Sequence, residues 1–153
     1  MTYLFAFLHH IAAFALVATL VLEFVLVRDE LTLSSARKLR FADMALGISA
    51  GVVLVAGVMR VFWFEKGAAY YFHSVPFIAK ITLFVTIALL SIYPTRVFLS
   101  WKKPLQAGQV PSLESGRRRT IRTILHVELV AVALLILCAV LMARGVGYIA
   151  WSG

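Results

Sequence analysis

Long apolar stretches, each broken by only a few polar residues, divide the chain. They cover about residues 4–27, 41–64, 75–99 and 121–142. A hydrocarbon core takes about 20 apolar residues of helix to cross, and each stretch is that long. None alternates strictly, as a half-buried strand would. The pattern predicts an all-α integral membrane protein, one transmembrane domain over residues 1–153. The connections between neighbouring helices are short, so an up-down four-helix bundle is the simplest packing. In the second helix, Gly47, Ala50, Gly51 and Gly57 are expected to let backbones approach closely.

The polar interruptions fall into two layers when each residue is given about 1.5 Å of helix rise. One layer holds His9, Arg60 and Lys80, with Arg144 closing the fourth helix and Tyr70, Tyr71 and His73 as a roof. The other holds Glu23, Asp43, His126 and Glu128, with Arg96 and Arg122 close in sequence. Here acids are expected to face cations across neighbouring helices. Such pairs can hold a bundle together or carry protons. Along the first helix, His9, Ala12, Leu16, Thr19 and Glu23 share a face at about 100° per residue, and His10 is turned away from it. A one-residue change of register would exchange the two histidines.

Composition agrees with the membrane reading. The chain is 62% hydrophobic and 14% charged, against about 45–50% and about 25% in soluble domains. A net charge of +8 would suggest nucleic acid in a soluble protein. Here the basic residues crowd into the first and third connections, so lipid headgroups and orientation account for them, and no nucleic-acid partner is implied. The positive-inside rule puts those connections in the cytoplasm and both termini outside. The one cysteine, Cys138, says nothing about redox compartment. The N-terminus reads as a retained helix.

The layer around His9 suits a planar, partly apolar ligand carrying carboxylates. A haem takes an axial ligand, often histidine, and cations favour its propionates. His9 or His10 supplies the first, Arg60 and Lys80 the second. A bare metal ion held by His9, His10 and His73 is an alternative. Lys80 snorkelling to the headgroups is another. Phosphate-loop and nucleophile-turn motifs are absent.

The segments LHHIAAFALVATLVLE, ADMALGISAGVVLVAGVMRVFWFEKGAAYYFHSVPFIAK and LMARGVG resemble an uncharacterised domain-of-unknown-function family of small bacterial four-helix membrane proteins. Its most specific part runs through Glu65, Lys66, Gly67, Ala68, Ala69, Tyr71, His73, Phe77 and Lys80. A more distant likeness is to the membrane protoporphyrinogen oxidase and copper-resistance D families. In the former, a first-helix histidine and a later lysine matter, and His9 and Lys80 match those places, with His10 competing. The tryptophan-rich pattern of that family is largely missing here. The resemblance implies a bundle that binds haem b through His9 as iron ligand, with His10, Arg60, His73 and Lys80 around it. It would serve electron transfer or porphyrin oxidation as a haem-dependent oxidoreductase, and a homo-oligomer is compatible. The rival expectation is a cofactor-free or metal-handling membrane subunit with a transport or assembly role.

Overall fold

The computed structural model describes residues 2–64 and 71–147. Over these the chain forms α1 (Thr2–Arg28), α2 (Leu33–Met59), α3 (Val75–Ser100), a short α4 (Lys102–Gln106) and α5 (Ser115–Ala143). Four of these helices are long and apolar enough to cross a membrane. α1 packs along α2, and α3 along α5. The two pairs join mainly through α1 and α5, and more lightly through α2 and α3. The bundle therefore has a basic end, with the connections around residues 29–32 and 101–114, and a far end, with residues 60–64, 71–74 and 144–147.

Two helices begin earlier than the apolar pattern implies. α2 gains its first turns from the polar run SSARKLR, started by a capping box. Ser35 N–H donates to Thr32 Oγ1 at 3.1 Å, and Thr32 N–H donates to Ser35 Oγ at 2.8 Å. Two otherwise orphaned amide donors are satisfied in this way. α5 likewise begins at Ser115, in the basic run ahead of the apolar stretch. At the far end α2 runs on as a π-helical turn, Arg60–Phe64. Such widened turns are rare and re-aim the side chains on them.

The far end of α5 folds back on the start of α3. Val75 N–H donates to the Gly147 carbonyl at 3.1 Å. Gly147 has φ +76°, and a Cβ there would stand 2.9 Å from Pro76 Cδ. Only glycine fits both conditions.

Packing is uneven along the bundle. The largest fully buried side chains are Phe98, Leu20, Leu39, Ile121, Leu125, Glu23, Glu128 and Pro94. All sit in the half of their helix nearer the basic end. Phe98 also stacks on Trp101, ring centroids 5.0 Å apart, where α3 meets α4. Toward the far end the described buried residues are fewer and include small ones, Ala12 and Ala56 among them. Large apolar side chains such as Phe14, Phe41, Ile48, Val55 and Leu89 are exposed on the outer surface, as lipid-facing residues should be.

The small-residue expectation for α2 needs correction. Gly47 and Gly51 have nothing within 4 Å of where a Cβ would be, so they are not points of close approach. The small residues that face neighbours are Ala36, Ala42, Ser49 and Ala56, which are buried, and Ala50, which packs against the core as expected. Gly57 is the glycine of that set with a neighbour, the imidazole of His9.

Candidate functional site

The far-half layer is assembled by three helices. His9 sits half-buried on α1. Its Nδ1 lies 3.1 Å from the Val53 carbonyl oxygen on α2. A carbonyl only accepts, so Nδ1 carries the hydrogen and donates it. Neutral imidazole then has its lone pair on Nε2. The absent side chain of Gly57, one turn further along α2, makes room for the ring: a Cβ there would lie 3.4 Å from His9 Cε1. Arg60, at the start of the π-helical turn, and Lys80, on α3, are both within electrostatic range of His9. Both are half-buried and both make further contacts in the bundle.

The second histidine is disposed differently. His10 is exposed, and its Nδ1 donates to the Ala6 carbonyl of its own helix at 2.6 Å. The rings of His9 and His10 meet edge to face with centroids 5.9 Å apart. The interior histidine is therefore His9. Its face of α1 is buried at Ala12, Leu16 and Glu23. His73 is exposed beyond the start of α3. Tyr71 is buried, its ring 5.2 Å from that of Phe77. Glu65, Lys66 and Tyr70 lie outside the described residues, as do Gly67, Ala68 and Ala69 of the quoted motif. Among the described residues no three histidine, cysteine or carboxylate side chains are grouped to hold a metal ion. The geometry thus offers one imidazole with cations beside it, and not a three-nitrogen cage.

About 14 residues of α1, or roughly 21 Å, separate His9 from the second layer. Glu23 on α1, Asp43 on α2 and Glu128 on α5 come within electrostatic range of one another there. Glu23 and Glu128 are fully buried and Asp43 is 7% exposed. α3 contributes hydroxyls. Thr95 Oγ1 donates to Asp43 Oδ1 at 2.6 Å. Ser91 Oγ lies 2.7 Å from Glu128 Oε1. Both oxygens of Glu23, and Oε2 of Glu128, have no hydrogen-bond partner among the described residues.

This corrects the expectation that acids face cations across helices. Arg96 and Arg122 are exposed, and so is His126. The cation in range of Asp43 is Arg40, three residues earlier on the same helix. The acids instead face each other and two hydroxyls. Sequence pattern could not show this, because the sign of a neighbour across a bundle depends on helix rotation.

His126 belongs to a different feature, a cavity of about 800 Å³ at the basic end between α1 and α5. Arg28, Arg118, Arg119 and Arg122 line it, together with Phe24, His126 and Val127. The Arg28 guanidinium lies 5.4 Å from the centroid of the Phe24 ring, a cation–π contact. The rings of Phe24 and His126 are 6.1 Å apart.

Residues 1–147 match the model of a protein family described as "Predicted membrane protein (DUF2214)". No curated protein and no solved structure matches the chain.

Proposed function

The chain belongs to this DUF2214 family of membrane proteins, and we propose that it binds haem b or a related tetrapyrrole in the far half of its bundle, for electron transfer or porphyrin oxidation. The observation that carries the reading is the setting of His9. Its Nδ1–H is spent on the Val53 carbonyl. That hydrogen bond fixes the tautomer and ring plane in the way typical of metal-ligating histidines. Nε2 is the nitrogen available to an iron.

The donor set fits a haem better than a free ion. One imidazole suffices as an axial ligand. Arg60 and Lys80 supply positive charge for carboxylates, or in the case of Lys80 a second axial nitrogen. Among the described residues the largest fully buried side chains lie in the other half, and the buried aromatics of this one are Tyr71 and Phe77. A haem would contribute one-electron chemistry. The protein would contribute the ligand, the countercharges and exclusion of water.

Positive-inside reasoning adds an orientation to this reading. Basic residues dominate one end, so that end would face the cytoplasm of a bacterial inner membrane and the tetrapyrrole would lie in the outer leaflet half.

The test is the absorption spectrum of protein purified after expression with haem supplied, together with its metal content. A Soret band with stoichiometric iron is the expected result. Colourless protein without iron would favour the cofactor-free subunit, and copper without a Soret band would favour metal handling.

A further inference from the structure

We propose that Glu23, Asp43 and Glu128 form a proton-binding site inside the membrane. The proposal does not rest on a tetrapyrrole being bound.

Two observations carry it. First, the Glu23 carboxyl is fully buried and neither oxygen has a partner among the described residues. The titratable groups that face it are Asp43 from α2 and Glu128 from α5, both acids. The α3 hydroxyls of Ser91 and Thr95 bond Glu128 and Asp43, not Glu23. The cation in range of Asp43 is Arg40. Three carboxylates cannot all stay charged in such a place, because an unpaired charge in a low dielectric is strongly disfavoured. A proton is the smallest countercharge, and the three acids are not grouped closely enough for a metal ion.

Second, hydroxyls and not cations hold the other two acids: Ser91 Oγ donates to Glu128 Oε1 at 2.7 Å and Thr95 Oγ1 to Asp43 Oδ1 at 2.6 Å, and Glu128 Oε2 has no partner among the described residues.

The experiment uses the intact protein in detergent and the hydrophobic reagent dicyclohexylcarbodiimide. A protonated carboxyl gives its hydrogen to a carbodiimide nitrogen. The carboxylate oxygen bonds to the central carbon, and the adduct rearranges to a stable acylurea that mass spectrometry can place. The expected result is an adduct on Glu23 or Glu128, lost as pH is raised and indifferent to Na⁺ or Ca²⁺ at fixed pH. Asp29, Glu30 and Glu114 are exposed and serve as the background in the same sample. Labelling of the buried acids no greater than that background overturns the proposal. So does protection by Na⁺ or Ca²⁺, which would make this a metal-cation site.

Discussion

Single residues decide the far end of this bundle. His9 is held by one hydrogen bond to Val53 and by the space left at Gly57. Gly147 is held by a positive φ and by the nearness of Pro76. Gly147→Ala should therefore destabilise the protein by about 1–3 kcal/mol, the usual cost of forcing a side chain into left-handed backbone. Thermal unfolding in detergent would show it, and an unchanged midpoint would mean that the α5–α3 clasp contributes nothing to stability. The roles of His9 and Glu23 on one face of α1 are legible from helical periodicity alone. Which of two adjacent histidines points inward is not, because a one-residue shift turns the helix by about 100°. The Val53 carbonyl, a backbone group on another helix, resolves it, and no side-chain pattern reports such a partner.

At the scale of elements, the apolar pattern marks where helices can lie in lipid, not where they end. Residues 33–40 are polar and basic yet helical, because Thr32 and Ser35 cap each other's backbone amides. The signal is present in the sequence as LTLSS, but a capping box is usually recognised with Glu or Gln at the third position, and here serine does the task. Thr32→Ala should cost about 1 kcal/mol. It should fray the first turns of α2, measured as faster amide exchange at residues 33–36 with residues 45–55 unaffected. The small residues of α2 show the opposite difficulty. Gly47 and Gly51 look like a packing motif by spacing, yet they face open space. Spacing fixes which residues share a face, and only the neighbours of that face decide whether it packs.

For the whole molecule, the membrane class and the four-helix plan follow from hydrophobicity and length, and they agree with membership of a family of membrane proteins. The distribution of charge between the ends does not follow from composition. A dense core and three buried acids occupy the basic half, and a looser half holds the imidazole and cations. If Glu23 is there for protons and not for architecture, Glu23→Leu removes no hydrogen bond from the fold. Stability should then stay level or rise, by up to about 1–4 kcal/mol as seen when buried ionic groups give way to apolar ones of similar size. A clear fall in the unfolding midpoint would assign Glu23 a structural task. The orientation has its own check. With Cys138 changed to serine and a cysteine placed at exposed Gln109, a membrane-impermeant maleimide should label inside-out vesicles and spare intact cells. Labelling of intact cells would invert the topology.

The central claim, an imidazole poised to ligate a tetrapyrrole iron, is tested most directly by paired spectra of His9→Ala and His10→Ala proteins purified with haem supplied. The account predicts that His9→Ala loses the Soret band and its iron, while His10→Ala keeps both, since His10 is exposed and bonded to its own helix. A Soret band of full height in His9→Ala, or its loss in His10→Ala alone, would contradict the account.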